Sequence, residues 1–334
     1  MTYAVNLAQS ASSESSFKNR IINGAMVIDQ RNAGAALTVN SGTDFFPVDR
    51  FLAVGTASSG VFTVQRSSTA PTGFINSLVA TVTTADASLA ASDQYYVSQI
   101  IEGLNVADLA WGTASAATVT LSFQVYSSLT GTFGGAIRNS AANRSYPFTY
   151  TISSANTWEQ KSVTIAGDTT GTWLTTNGKG LDVTWALGLG STFSGTAGSW
   201  AAANYKGASG VTNVMATNGA TFYITGVQLE KGSTATSFDY RSFGTELALC
   251  QRYYEEMEVL YSTSSWSAIS NQAFWKVTKR AAPTITGSAD GGTGGTYITF
   301  GSANAKFASQ CNQVFQSTVN SASSGGVARG SAEL

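Results

Sequence analysis

Eight carboxylates stand in or beside the apolar stretches of this chain: Asp44, Asp49, Asp93, Glu102, Asp168, Asp182, Glu230 and Asp239. Cleavage of a glycosidic bond needs two such groups flanking it, one as acid and the other as base or nucleophile. None of the eight forms a recognisable catalytic pair. Glu102 follows an apolar strand and Glu230 ends one, so with Arg50 they read as a charge cluster that holds strand ends together. The absence of histidine removes the commonest general base and the commonest zinc ligand. Cys250 and Cys311 lie far apart in unlike segments and read as free, partly buried thiols rather than a disulfide framework or a zinc pair. No Gly-rich phosphate loop and no serine elbow occurs.

Sugar binding asks for other residues. The C–H face of a sugar stacks on an exposed Trp or Tyr, while amides and carboxylates bond its hydroxyls. Trp111, Trp200, Tyr205 and Trp266 sit in Gly/Ala/Ser surroundings rather than in alternating strands, which makes them the candidates for glycan contact. Packing of their own loops is the competing role. Trp158, Trp173 and Trp185 lie within or beside strands and are assigned to the core.

The elements that must position these residues are mostly strands. VFTVQR (61–66), SLVATVTT (77–84), QYYVSQIIEGLNV (94–106) and ATVTLSFQVYSS (117–128) follow one another at short intervals. FTYTISS (148–154), WEQKSVTI (158–165), LDVTWALGL (181–189) and TFYITGVQL (221–229) continue the series. In 117–128, Val119, Leu121, Phe123 and Val125 face one way and Thr120, Ser122 and Gln124 the other, as in a sheet with one face on a core. In 221–229 the apolar phase shifts across Gly226, which predicts a bulge. Many short strands separated by Gly/Ser/Thr/Asn turns predict a β-sandwich or barrel.

Residues 245–257 break this pattern. Thr245 can cap a helix, Glu246 suits its first turn, and Leu247, Cys250, Tyr254 and Met257 fall on one helical face. The helix is read either as a cover for the sandwich or as an assembly element, with Leu247, Tyr254 and Met257 as the oligomerisation contacts. After it, 272–288, 296–302 and 312–321 read as strands of a small module with a thin core. The expected organisation is an arm or tether over 1–18, a sandwich over 19–241, a connecting helix over 242–258 and a C-terminal β-module over 259–334.

Charged residues are 11% of the chain and the net charge is −1, against roughly 25% charged residues in an average soluble domain. Two accounts stay open: a surface partly covered inside an assembly, and a Ser/Thr surface that needs little charge. The lack of a basic cluster argues against nucleic-acid binding. No run approaches the ~20 apolar residues that span a bilayer, and the N-terminal residues lack the pattern of a secretory signal.

Several of these residues form ordered motifs: Asn19, Asn23, Gly24, Met26, Ile28, Gln30 and Arg31, then VDRF (48–51), SQIIEGLN (98–105), LSFQVYSSLTGTF (121–133) and NTWEQKSVTIAGDTTGTW (156–173). The longest is VQLEKGSTATSFDYRSFGTELALCQRYYE (227–255). From about Asn19 to Pro283 the chain resembles tailed-bacteriophage tail-fibre and virion-surface proteins that carry a carbohydrate-binding-module-like jelly roll. The resemblance implies an all-β fold: a jelly-roll sandwich, one amphipathic helix and a small C-terminal β-module. It further implies a non-enzymatic structural protein of the virion, made in the host cytoplasm and often a homotrimer. Its partners would be other virion proteins and host surface polysaccharide, with no membrane insertion. Jelly-roll carbohydrate modules often hold a structural calcium; the sequence shows no dense Asp/Asn loop for one, and no other cofactor is expected. Only residues 1–18 precede the first motif, which opens a head-fibre or capsid-decoration role beside the tail-fibre one; a glycan depolymerase is the enzymatic alternative.

Overall fold

A computed structural model describes residues 18–56, 59–261, 269–273, 275–289, 299–300, 315–319 and 324–334. The alternating segments form strands β1 (Leu37–Val39), β2 (Gly42–Val48), β3 (Phe51–Gly55), β4 (Val61–Ser67), β5 (Ser77–Thr84), β6 (Gln94–Glu102) and β7 (Val119–Ser127). They continue as β8 (Gly131–Asn139), β9 (Ser145–Ile152), β10 (Glu159–Ile165), β11 (Lys179–Leu189), the two-residue strands β12 (Ser194–Gly195) and β13 (Gly207–Ala208), and β14 (Thr221–Lys231).

The chain passes back and forth between two six-stranded antiparallel sheets, as a jelly roll does. The first has the order β1-β4-β5-β14-β7-β10 and the second β2-β3-β6-β11-β8-β9. The inward parity read for β7 holds: Val119, Leu121, Phe123 and Val125 are buried. Phe123 of the first sheet meets Trp185 of the second edge-on at 5.8 Å, and Phe133 stacks on Phe222 at 6.2 Å.

The bulge expected at Gly226 is present as a register shift between Thr225 and Gln228, with Gly226 at φ +60°. Strand β8 escaped the sequence reading because Gly134 and Gly135 weaken its pattern. The structure needs a glycine there: a Cβ on Gly135 would stand 2.0 Å from the Thr184 carbonyl oxygen of the neighbouring strand.

The Asn19–Arg31 motif adopts no regular element and instead plugs one end of the sandwich. Asn19 donates to the Val227 carbonyl (3.1 Å) and accepts from Leu229 N–H (3.1 Å). Asn23 donates to the Ile28 and Asp49 carbonyls (2.8 and 2.9 Å). Both are buried, so their amides do the work that strand pairing does elsewhere.

Helix α1 (Phe243–Gln251) is capped by Ser242, whose side chain accepts from Thr245 N–H. It is shorter than the expected 245–257. Past Gln251 the chain turns and becomes β15 (Tyr254–Tyr261), because its next side chains find better partners off the helix. The Tyr253 ring lies under the Arg50 guanidinium at 3.6 Å, and its hydroxyl donates to Glu102 (2.7 Å). Tyr254 lies under Arg31 at 3.6 Å. Leu247, Tyr254 and Met257 therefore share no helical face. Leu247 packs on the small cluster of Ile22, Ile28, Cys250 and Tyr253. Tyr254 is buried on β15, and Met257 falls on the same strand with its side chain outside the described residues. Burial pushes the Cys250 thiol well up, so it sits there as a small apolar group; Cys311 lies outside the described residues.

Beyond β15 come β16 (Ile269–Ala273), β17 (Thr284–Ala289), β18 (Thr299–Phe300), β19 (Phe315–Val319) and β20 (Ser324–Ser331), in sheets ordered β15-β20-β17 and β16-β19-β18. The end of the chain returns to the sandwich: Arg50 and Arg31 both pair with Glu333, and Arg280 donates to the Ala332 and Glu333 carbonyls (2.9 and 2.8 Å).

In the same seam Arg252 grips Glu102 with two hydrogen bonds of 2.9 and 2.6 Å. Burial opposes the ionisation of Glu102, but the hydrogen bonds from Arg252 and Tyr253 outweigh it and hold the carboxyl below its ordinary range. A lowered folded-state pKa makes this contribution complete above the unfolded value of about 4.3 and lost as the pH falls through the depressed value. The melting temperatures of the native chain and of Glu102→Gln should differ at neutral pH and converge once the pH falls below the depressed value. Glu102 and Arg50 thus meet in one cluster through Tyr253. Glu230 belongs elsewhere, accepting from Thr236 Oγ1 at 2.7 Å.

Candidate functional site

The two sheets present their outer faces differently. The second is roofed by residues 190–213. Lys206 reaches down from that roof to Gln94 and to the Tyr96 hydroxyl (3.0 Å), and its carbonyl accepts from Thr184 Oγ1 (2.6 Å). Burial lowers the Lys206 ammonium to about 8, with Arg138 adding to the shift. On the first sheet, residues 232–240 cover one end only. Thr236 N–H donates to Glu230 and Asp239 N–H to Gln228, both at 2.8 Å, and Ser122, Thr225 and Gln228 are buried there.

The part of the first sheet that no described segment covers follows from strand parity. Because Phe123, Val125, Phe222 and Ile224 point inward, Gln124, Tyr126, Tyr223 and their neighbours point out. Register sets Tyr126 opposite Tyr223, and Gln160 opposite Gln124 opposite Thr225. Trp158, just before β10, joins the tyrosines. The ring centroids are 5.5 Å apart for Trp158–Tyr126, 5.0 Å for Tyr126–Tyr223 and 6.2 Å for Trp158–Tyr223. All three rings are half-buried. The Gln124 side chain is half-buried and Gln160 exposed, and neither carboxamide has a hydrogen bond among the described residues. A cleft of about 240 Å³ opens beside them, lined by Ser122, Gln124, Gln160, Gly226, Phe238 and Tyr240. Rigid aromatic faces beside unused carboxamides suit a ligand with apolar C–H faces and many hydroxyls.

The residues singled out in the sequence lie elsewhere. Trp111 and Trp200 do come together, with Trp173, at centroid distances of 4.7, 5.3 and 5.4 Å, but they pack on one another. Their indole N–H groups are used internally: Trp111 donates to the Ala117 carbonyl (2.7 Å) and Trp200 to the Ala166 carbonyl (2.8 Å). Arg144 and Asp168 brace the cluster through bonds of 2.8 and 2.6 Å. The Tyr205 ring lies against Gly195, where a Cβ would be 2.2 Å away. Trp266 is outside the described residues. Trp200→Ala should therefore cost about 1–2 kcal/mol of stability, as loss of a half-buried ring contact does, and leave binding at the first sheet unchanged; a denaturant melt and a titration check the two halves.

Trp158 is the reverse case. Assigned to the core from its place beside a strand, it stands on the outer face. Ile165 is buried and Gln160 and Ser162 are exposed, so even-numbered residues of this segment face out. That parity was readable in WEQKSVTI, as was the outward placing of Tyr126 and Tyr223.

The described candidate carboxylates are engaged in local contacts. Asp49 accepts from Gln30, and burial outweighs that bond and the nearby Arg31 to raise its pKa. Asp93 accepts from Ala90 N–H (2.6 Å), Asp182 pairs with Arg138 and Lys179, and Asp239 accepts from Asn19 N–H (3.4 Å). The Asp44 side chain is outside the described residues. Among the described residues no three carboxylates or cysteines converge, so they offer calcium no carboxylate cage.

No family model and no curated protein matches this chain. Solved structures do. The enzymatically active domain of tailspike protein 4 of bacteriophage CBA120 matches over 64% of this chain at 14% identity and TM-score 0.34, and the match spans about a fifth (21%) of that tailspike chain. A CBM4 carbohydrate-binding module matches over 63% of this chain and 98% of its own at 15% identity and TM-score 0.30. The family 11 carbohydrate-binding module of the Clostridium thermocellum cellulase Lic26A-Cel5E matches over 61% and 99% at 11% identity and TM-score 0.29. The jelly-roll assignment rests on the strand order described above.

Proposed function

We propose that this chain is a non-enzymatic component of a bacteriophage virion surface that binds host surface glycans through Tyr126, Trp158 and Tyr223 on its first sheet. The observation that carries the glycan reading is the juxtaposition of those three half-buried rings with the Gln124 and Gln160 carboxamides, unbonded among the described residues, on a sheet face that no described segment covers. The virion placement and a homotrimeric state rest on the motif resemblance. Within it, Asn19, Asn23, Asp49, Arg50, Glu102, Arg252 and Tyr253 have structural tasks at the sandwich end. The non-enzymatic reading is supported by the engagement of described candidate carboxylates in local pairings: Asp182 with Arg138, Asp168 with Arg144, Glu102 with Arg252 and Glu230 with Thr236.

The test is calorimetric titration of the purified chain against a panel of neutral and acidic bacterial surface polysaccharides, with a reducing-end assay on each mixture. Saturable binding without new reducing ends is expected; new reducing ends would make the protein a depolymerase. Immunogold labelling of virions should mark the tail, whereas labelled heads would favour the head-fibre or decoration role. Light scattering should give a trimer mass, and a monomer at micromolar concentration would remove that part of the proposal.

A further inference from the structure

The first aromatic cluster has a counterpart. At the covered end of the same face, Phe74, Phe238 and Tyr240 form a second triad, with centroid distances of 5.2, 5.5 and 4.8 Å. Tyr240 is 59% exposed, yet its hydroxyl is tied to the Gly73 carbonyl (2.7 Å), which holds the ring in place. Phe74 is seated by Gly226: a Cβ there would lie 2.7 Å from its ring, so the bulge glycine makes room for the second triad. Between the triads runs the cleft lined by Ser122, Gln124 and Gln160, with Phe238 and Tyr240 on its far side. Tyr126 and Ser122 are four residues apart on β7, or about 14 Å at roughly 3.4 Å per residue. A ligand touching both triads is longer than one sugar ring.

Charge is missing from this track. The rows Trp158–Tyr126–Tyr223, Gln160–Gln124–Thr225 and Ser162–Ser122–Gln228 contain no Asp, Glu, Lys or Arg. Charged side chains stand at its margins and are engaged there: Glu159 with Lys161 (2.6 Å), Glu230 with Thr236 and Gln228, Lys18 with the Ser237 carbonyl (2.9 Å), Asp239 with Asn19 N–H (3.4 Å) and Arg241 with Glu246 (3.3 Å). Acidic sugars and phosphorylated glycans would lose water around their charges along these rows and meet no guanidinium or ammonium within them.

From the paired triads and the uncharged rows between them, we infer that the ligand is a neutral glycan segment of several residues, bound along β7 with its ends on the two aromatic triads. This rests on the glycan reading above. The test titrates the full chain with neutral gluco-, manno- and galacto-oligosaccharides of two, four and six units, and with polygalacturonate and a phosphorylated mannan. Affinity for one neutral series should rise roughly tenfold or more from two units to six. Tyr240→Ala should remove most of that rise, costing the six-unit ligand far more than the disaccharide, while Tyr240→Phe keeps it. Equal affinity for two and six units, an equal loss on both from Tyr240→Ala, or binding of the acidic polymers as tight as the neutral ones overturns the inference and leaves glycan binding standing. Binding of no glycan at all overturns the glycan reading and this inference with it.

Discussion

Tyr223→Ala should weaken glycan binding on the order of 30-fold, since truncating a central aromatic anchor costs about 2 kcal/mol and each 1.4 kcal/mol is tenfold. Tyr223 touches both other rings, so its loss removes a stacking surface and frees Tyr126 and Trp158 to reorient. Its side chain points away from the sandwich interior, whereas Phe222 and Ile224 on either side are fully buried. The fold should survive the change, with a stability loss well below that of a core truncation. Tyr223→Phe should keep most of the affinity. Burial, with Tyr126 adding to it, raises the Tyr223 hydroxyl, so the ring stays neutral throughout the useful pH range and the anchor is insensitive to pH. Titration of both variants beside a denaturant melt checks this. An unchanged affinity for Tyr223→Ala would remove the first sheet as the binding face.

Lys279→Met should cost roughly 3–5 kcal/mol, the usual penalty for leaving one charge of a buried pair without its partner. Lys279 and Glu255 lie 2.5 Å apart with both side chains 0% exposed. The ammonium also donates to the Gln251 carbonyl (2.6 Å) at the end of α1 and lies 4.8 Å from the Trp275 ring centroid. Glu255 is one of the residues that turn the chain from helix to strand, so stripping its counter-ion strikes at the handover to the C-terminal sheets. The double variant Lys279→Met/Glu255→Leu should recover most of the loss, because an apolar pair removes the desolvation cost of both charges. Chemical denaturation of the three proteins separates the cases. A single variant as stable as the native chain would mean that the pair is not buried in solution.

Much of the sandwich was legible because its core strands alternate cleanly. Val119 to Val125 and the phase shift at Gly226 foretold which side chains would be buried and where β14 would bulge. The glycine-rich β8 was not legible, because its reason lies in the backbone of β11, which no local pattern reveals. The helix end was missed for a related cause: Leu247, Cys250, Tyr254 and Met257 fit a helical stripe, but Arg50, Arg31 and Lys279, distant in sequence, draw Tyr253, Tyr254 and Glu255 off the helix. The candidate site was misjudged by context. Trp111 and Trp200 stand among small residues because they nest together with Trp173, and small neighbours permit that packing. Trp158, Tyr126 and Tyr223 were visible by parity, as large aromatics on the polar side of alternating strands.

Strand β14 lies between β5 and β7 in the first sheet, although it is made after both of them. On a ribosome working at about 5–20 residues per second, β7 waits roughly 5–20 s, and β5 roughly 7–30 s, for the strand that joins them. During that interval each offers an unpaired edge to any neighbouring chain. Closing ion pairs such as Arg31–Glu333, between residues 302 apart in sequence, form later still. Such long-range closure predicts slow folding and losses to aggregation during synthesis that ease at low temperature or with abundant chaperone.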